Sequence, residues 1–146
     1  MHPYPHTYAA SATASDTEFV TITSPGLPSF QTAPPPEFDG PGGAWSPESL
    51  LCASLADCFV LTFRAIARAA RLEWLHLECR VEGILERIEG TSQFTRYKTL
   101  ARLQVRAGTD LAKAHSLLER AESGCLIANS LRGTRTLDAQ VVSADG

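Results

Sequence analysis

The pattern of apolar and polar positions predicts one long central helix in this chain of 146 residues. Asp57 is the only charged residue between positions 50 and 63, so this stretch is apolar on every face. The Ser-Pro-Glu at 46–48 is a typical helix start, with an N-cap, a proline at the first position and an acid in the first turn. We therefore predict a helix over 46–71 and expect protein to surround it, because a helix without a polar face is normally buried.

Shorter periodic segments on both sides of this helix predict strands and a second helix. Residues 5–23 contain two runs rich in β-branched and aromatic residues with a turn between them, which is typical of a hairpin. Strict alternation over 75–81 and 96–106 predicts a second antiparallel hairpin. A helix over 111–123, a short helical piece and a strand over 135–142 follow. The order ββ–α–ββ–α–β indicates an α+β fold.

The chain length fits a single domain over residues 1–146. Its first part, 1–45, holds the hairpin and a proline- and glycine-rich connection that we interpret as a loop wrapped over the body. This interpretation rests on three aromatic residues in the connection, namely Phe30, Phe38 and Trp45. The central helix occupies 46–71, and the strand hairpin, second helix and final strand occupy 72–146.

Charge and hydropathy exclude several classes of function. The net charge is −3 and no basic cluster occurs, which argues against nucleic acid as a partner. The apolar run at 50–63 is shorter than the about 20 residues that cross a bilayer, so no membrane partner is expected. The start of the chain lacks the basic and apolar regions of a secretory signal. We therefore expect a cytoplasmic protein with reduced cysteines, in which any disulfide is transient and catalytic.

The four cysteines differ in their sequence context. Cys79 lies on the apolar side of a strand, and Cys52 faces away from Cys58 because six helical residues turn the chain by about 600°. We interpret both Cys52 and Cys79 as packing residues. Asp57 beside Cys58 would be buried and need a partner. Cys125 stands between a helix stop and a short helix, where backbone N–H groups can lower a thiol pKa. Spacing alone leaves open whether Cys58 and Cys125 are core residues or a working redox pair.

The segments "SPESLLCASLADCF" and "AESGCLIANSL" together resemble the OsmC/Ohr family of bacterial osmotically inducible proteins and organic hydroperoxide reductases. That family has a Pro-Glu helix start, a cysteine ten residues after the Glu, and a second cysteine near a later helix. Pro47, Glu48, Cys58 and Cys125 match this pattern, and Asn129 falls on a recurring Asn of the family. The resemblance spans most of the chain, including the order of strands and helices.

The resemblance implies a fold, a chemistry and a set of partners. The implied fold has antiparallel sheets around a long buried central helix in an intertwined homodimer, with active sites between the subunits. Cys58 is implied to attack an organic hydroperoxide and become a sulfenic acid, and Cys125 to form a disulfide with it. An external dithiol would restore both thiols, with no cofactor or metal. The apolar surroundings expected for Cys58 suit an organic peroxide: Phe59, Phe63, Trp45 and the proline loop.

Glu48 is the third residue that the resemblance assigns to the catalytic site. About 15 Å of helix axis separate it from Cys58 in an unbroken helix, so it cannot touch Cys58 of its own chain. Glu48 can serve that site only if the helix is broken or a partner subunit supplies it, and we expect it to face the partner's site.

Two departures from the family pattern keep other functions open. The family peroxidases carry an N-terminal arginine near the thiolate, whereas no Arg or Lys here precedes Arg64. The candidate substitutes are Arg64, Arg132 and Arg135. Without one of them, the pKa of Cys58 should be raised and the thiol should react slowly. The usual Pro and Ser after the second cysteine are also replaced. One alternative is therefore a redox-sensing or small-molecule-binding protein with little turnover. A third possible function is a metal site built from Cys58, Cys125 and either His76 or His115, although the spacing of these residues matches no known ligand pattern.

Overall fold

A computed structural model describes residues 1–144. Positions 145 and 146, the last two of the predicted domain, lie outside the described residues. The chain forms two compact units, Met1–Leu50 and Leu51–Gly146. The strands and helices follow the predicted order with additions, and the α+β class is confirmed. The interpretation of the whole chain as one domain stays a prediction.

The first unit contains a small antiparallel sheet in the order β1-β2-β3. Its strands are β1 (Ser11–Thr13), β2 (Val20–Thr23) and β3 (Phe30–Thr32). The hairpin predicted over 5–23 is thus present with shorter strands, and β3 is a strand where a loop was predicted. A 3₁₀ turn at Pro36–Phe38 follows. Pro36 can start it because the fixed φ of proline suits the first helical position. The aromatics Phe30, Phe38 and Trp45 are all exposed.

Helix α1 (Pro47–Ala69) begins at the predicted N-cap. The Ser46 hydroxyl accepts the Ser49 N–H at 3.1 Å, and the Ser46 N–H donates to the Ser49 hydroxyl at 2.9 Å. This reciprocal pair satisfies backbone donors that the first turn leaves free. The helix ends two residues before the predicted position, since Arg71 adopts the left-handed conformation with φ of 56°.

The second unit is built on the sheet β4-β5-β6, with strands β4 (His76–Ile88), β5 (Thr91–Arg106) and β6 (Thr134–Ala144). Strands β4 and β5 form the predicted antiparallel hairpin. Its two-residue turn, Glu89-Gly90, has φ of 49° and 81°, as the twist of a tight hairpin requires. Strand β6 pairs parallel to β5. The expectation of antiparallel sheets is therefore wrong for this strand, and the sheet is mixed.

Two further helices lie between β5 and β6. Helix α2 (Leu111–Gly124) is capped by Asp110, whose carboxylate accepts the Lys113 N–H at 3.0 Å. Helix α3 (Leu126–Asn129) follows after the single residue Cys125. Cys125 is thus both the C-cap of α2 and the N-cap of α3.

Helix α1 buries one stripe, and its other faces are partly or fully exposed. The stripe consists of Leu55, Phe59, Phe63 and Ala67. Asp57 is exposed, and the Leu61 side chain, also apolar, is 49% exposed. The expectation that protein surrounds α1 is therefore wrong for one chain, and Asp57 needs no buried partner because water solvates it.

The length and hydropathy of α1 alone would allow it to cross a bilayer. The helix extends beyond residues 50–63, on which the expectation of a shorter segment rested, and its 23 residues are long enough. The core helix of a globular domain satisfies the same criterion. Phe59, Phe63 and Ala67 pack with buried residues of α2 and of the β4-β5-β6 sheet. We therefore describe α1 as a core helix that carries a second, exposed apolar face.

Candidate active site

Cys58 and Cys125 lie together in a small apolar cluster of the second unit. Its buried members are Leu55, Tyr97, Cys125 and Ala128, and Cys58 packs against them. Cys58 is half-buried, whereas Cys125 is only 1% exposed. Helix α1 supplies Cys58 from one side and the α2–α3 turn supplies Cys125 from the other. The predicted pair is therefore brought together by the fold.

The Cys58 sulfur lies among several hydrogen-bond donors that act on its pKa. Burial alone would raise its pKa, but the backbone N–H groups of Ile127 and Leu126, the Cys125 thiol and the Thr62 hydroxyl outweigh it. The pKa of Cys58 is consequently lowered from its ordinary value of 9.0. The Thr62 hydroxyl lies 3.8 Å from the sulfur, one helical turn after Cys58. These donors favour the thiolate, which is the nucleophilic form of cysteine.

Cys125 has the opposite character. Burial, its role as donor to Cys58, and the nearby Cys58 and Glu122 charges raise its pKa to about 11, against a weaker lowering by the Ala128 N–H. The expectation that helix N–H groups would activate Cys125 is therefore wrong, because burial outweighs the one such group that lowers its pKa, the Ala128 N–H. Of the two thiols, Cys58 is therefore the more acidic.

The candidate substitutes for the missing arginine are engaged elsewhere or exposed. Arg64 lines an open groove with Arg68 and Arg106, and Arg132 is exposed. Arg135 forms an ion pair with Glu122 at 2.9 Å. Within residues 1–144, no cationic side chain is among the groups that lower the pKa of Cys58. The groups that lower the pKa of Cys58 are hydrogen-bond donors, whereas the family resemblance implied a cation.

The other two cysteines fit the packing role predicted for them. Cys79 packs against the main core, and burial with the Glu122 and Cys125 charges raises its pKa to about 12. The Cys52 sulfur would lie 3.0 Å from a β-carbon at Gly83, and the Phe94 ring would lie 2.9 Å away. Gly83 is thus a glycine because these two side chains occupy the space over its Cα.

Glu48 lies in the first unit, on an unbroken α1. One carboxylate oxygen, Oε2, is buried and finds no hydrogen-bond partner among residues 1–144. Glu48 borders a cavity of about 430 Å³ whose other lining residues are mostly apolar, among them Val20, Ile22 and Phe38. A buried carboxylate oxygen without a partner is costly, so this oxygen is a candidate acceptor for a group from outside the chain.

The predicted aromatic lining of the site is wrong in two positions. Phe59 and Phe63 belong to the main core, because the stripe of α1 that faces α2 is not the face that carries Cys58. The apolar residues around Cys58 are instead Leu51, Leu55, Tyr97, Phe94, Ile127 and Leu131. Sequence reasoning also missed Thr62, although its spacing of one helical turn from Cys58 was available as a signal.

Metal binding finds no support in the geometry. Residues 1–144 contain no group of three or more His, Cys, Asp or Glu side chains placed to hold an ion. His115 instead lies 3.5 Å from Glu119 and 3.2 Å from the Ala139 carbonyl.

Comparison with known proteins identifies the family. A family model for OsmC-like proteins matches residues 40–139. The chain belongs to the OsmC-like family. The uncharacterized protein YmaD of Bacillus subtilis strain 168 is 32% identical to this OsmC-like chain over 111 residues, 73% of each chain. The resemblance drawn from the two cysteine segments is thereby confirmed.

Solved structures share the OsmC-like fold. An organic hydroperoxide resistance protein OsmC of Legionella pneumophila is 26% identical, with a TM-score of 0.74 over 95% of this chain and 98% of that one. An OsmC-like protein of unknown function from Vibrio cholerae reaches a TM-score of 0.80 at 18% identity, over 94% of this chain and 100% of that one. The second likeness shows the fold alone. Together with the family match, the Legionella relative supports a peroxidase-like or redox role.

Proposed function

We propose that this protein is a thiol-dependent peroxidase that reduces organic hydroperoxides to alcohols. The observation that carries the proposal is the pairing of Cys58, whose pKa is lowered, with Cys125, whose pKa is raised to about 11. A peroxidase of this kind needs one thiolate that attacks the peroxide and a second thiol that condenses with the resulting sulfenic acid. The Legionella relative is an organic hydroperoxide resistance protein, which agrees with this chemistry.

The proposed reaction has three steps. The Cys58 thiolate attacks the terminal oxygen of ROOH, the O–O bond breaks, and RO⁻ takes a proton to leave as ROH. Cys58 is then a sulfenic acid, and the Cys125 sulfur displaces its hydroxyl to form a disulfide and water. An external dithiol reduces this disulfide by thiol–disulfide exchange and becomes a disulfide itself. No cofactor enters these steps.

The surroundings of Cys58 favour an organic over an inorganic peroxide. Apolar and aromatic side chains share the cluster with Cys58, among them Leu51, Leu55, Phe94, Ile127 and Leu131. An alkyl or aryl group would gain roughly 25 cal/mol for each Å² of apolar surface that it buries there. Hydrogen peroxide has no such group and gains nothing from these contacts.

We further propose that the protein acts in the cytoplasm as a homodimer with interfacial sites. Leu61, on the exposed apolar face of α1, is 49% exposed, and Phe38 and Trp45 are also open to water. The unpartnered Glu48 oxygen would receive a donor from the second subunit and would in turn serve that subunit's Cys58. A second copy would remove the exposed apolar side chains from water, which is favourable. It would also give the buried Glu48 oxygen the hydrogen bond that it lacks.

A turnover assay tests the proposal. Purified protein should consume cumene hydroperoxide and release the alcohol in the presence of dithiothreitol or a lipoyl-type dithiol, and should do so faster than it consumes hydrogen peroxide. Without reductant, one equivalent of peroxide should produce the Cys58–Cys125 disulfide. If the disulfide forms but no turnover follows with any dithiol, the missing N-terminal arginine favours the alternative of a redox sensor or binding protein. If neither occurs, the peroxidase proposal is wrong.

The Thr62 hydroxyl offers a test of how the thiolate is stabilised. Thr62→Val removes one donor to Cys58 and keeps the methyl group that faces Gly124. The pKa of Cys58 should rise, so its thiolate should form only at a higher pH than in the wild type. Below that pH the variant should react with peroxide more slowly, by up to about tenfold. Rapid-mixing rates across a pH series measure the shift.

The matched control for this change is Ser54→Ala. The Ser54 hydroxyl lies on the same helix and donates to the Leu51 carbonyl at 2.8 Å. Its removal should leave the pH profile of Cys58 unchanged. Identical profiles for Thr62→Val and wild type would show that the hydroxyl does not stabilise the thiolate.

A further inference from the structure

The guanidinium group of Arg135, on β6, binds both sides of the turn that carries Cys125. Its Nε donates to the Glu122 carboxylate at 2.9 Å, and its Nη1 donates to the Asn129 side-chain oxygen at 2.8 Å. Its Nη2 donates to the Glu122 backbone carbonyl. All three nitrogens of this planar group thus donate hydrogen bonds, two of them to the end of α2 and one to α3.

Asn129 extends this network to Cys125 itself. Its side-chain N–H donates to the Ser123 carbonyl at 3.1 Å, and its backbone N–H donates to the Cys125 carbonyl at 2.9 Å. The Cys125 N–H in turn donates to the Glu122 carbonyl at 3.4 Å. The last carbonyls of a helix have no partner within it, so these bonds fix the end of α2 against α3.

The ion pair at the base of this network is better buried than the other pairs of the described chain. Arg135 and Glu122 side chains are 25% and 17% exposed, whereas those of Arg80 and Glu82 are 73% and 43% exposed. Exposed ion pairs contribute little, because water and salt screen them. A shielded pair with several hydrogen bonds to one guanidinium constrains geometry more strongly.

The turn that Arg135 holds carries three of the four groups that lower the pKa of Cys58. Cys125 supplies the thiol, and Leu126 and Ile127 supply the two backbone N–H groups that bind the Cys58 sulfur. A movement of this turn would displace the thiol and both N–H groups at once. Arg135 itself is absent from the groups that act directly on Cys58.

We infer that Arg135, through Glu122 and Asn129, is a positioning residue that sets the turn carrying Cys125 against Cys58. It has two consequences for the proposed peroxidase, on which the inference rests. The network keeps the Leu126 and Ile127 N–H groups on the Cys58 thiolate before the reaction, and it keeps Cys125 within reach of the sulfenic acid afterwards. Lysine cannot replace this arginine, because a single ammonium lacks the planar set of donors.

The test compares Arg135→Met with Arg132→Met, whose arginine is exposed three residues earlier. The first readout is the pH midpoint of Cys58 alkylation by iodoacetamide, followed by mass spectrometry. The second is the rate at which the Cys58 sulfenic acid becomes the disulfide after one equivalent of cumene hydroperoxide. Arg135→Met should raise the midpoint and slow disulfide formation by about ten- to a hundredfold, as small misplacements of reacting groups do. Arg132→Met should match the wild type in both.

Two further variants separate positioning from stability. Arg135→Lys should behave like Arg135→Met, and Glu122→Gln, which keeps a neutral acceptor, should lie between them and the wild type. If Arg135→Met does not fold, these two are read in its place. A purely structural role predicts a lower Tm with an unchanged alkylation midpoint and disulfide rate below the Tm, and this result would overturn the inference.

The alkylation readout also separates this inference from the proposed function. It uses no peroxide, so it reports the placement of the turn even if the wild type forms no sulfenic acid. A raised midpoint in Arg135→Met together with no peroxide reaction would refute the peroxidase and support the positioning role. An unchanged midpoint together with normal disulfide formation would refute the positioning role and support the peroxidase.

Discussion

The Cys58→Ser variant is expected to lose organic hydroperoxide turnover by about a thousandfold or more, down to the rate of the dithiol alone. The hydroxyl of serine does not ionise at neutral pH, so the Leu126 and Ile127 N–H groups cannot turn it into a comparable nucleophile. Steady-state consumption of cumene hydroperoxide with excess dithiol measures this loss. Equal rates for wild type and Cys58→Ser would contradict the assignment of Cys58 as the attacking residue.

Cys125→Ser and Cys52→Ser make the comparison specific. Cys125→Ser keeps a donor beside Cys58 but cannot form the disulfide, so one equivalent of peroxide should leave a sulfenic acid that a dimedone adduct reveals. Cys52→Ser changes a thiol of the same helix that packs against Gly83 and Phe94, and it should retain turnover. If Cys52→Ser lost as much turnover as Cys58→Ser, the assignment of the chemistry to Cys58 would be contradicted.

Phe63→Ala is expected to destabilise the protein by about 3–5 kcal/mol, a large part of the free energy of unfolding of a small domain. Phe63 is fully buried, and its ring contacts the Trp74 ring edge-on at 5.5 Å between centroids. Its truncation removes apolar contacts and leaves a cavity between α1 and its neighbours, because the surrounding core relaxes only in part. Urea unfolding at equal m value measures the change.

Leu111→Ala is the control for this prediction, since Leu111 is an exposed apolar residue at the start of α2. It should cost less than about 1 kcal/mol. A similar loss of unfolding free energy in Phe63→Ala and Leu111→Ala would contradict the expectation that burial sets the cost of truncation.

Local sequence signals were sufficient for most elements of the fold. The Ser46 cap, the helix of α1, the β4–β5 hairpin with its Gly90 turn, and the cap at Asp110 all depend on neighbouring residues. Chemistry of this kind is readable from a single sequence because the interacting groups are three or four residues apart. The cysteine spacing likewise sufficed to select Cys58 and Cys125 through a family resemblance.

The remaining features depend on contacts that no local pattern encodes. Whether β6 joins β5 in a parallel or an antiparallel sense is decided by the path of the chain through α2 and α3. The surroundings of Cys58 were mispredicted for the same reason. The family resemblance implied a cation near its thiolate, whereas backbone donors that lower its pKa come from Leu126 and Ile127, which reach it only in the folded chain.

The parallel pairing of β5 with β6 has a consequence for how the cysteine pair comes together. Parallel neighbours require a crossover connection, and here Cys125 lies on that crossover. Arg135, which holds the Cys125 turn, is itself a residue of β6 opposite Tyr97 of β5. The contacts of Arg135 with the turn are therefore complete only when β6 is paired with β5. We expect the placement of Cys125 beside Cys58 to depend on completion of the sheet.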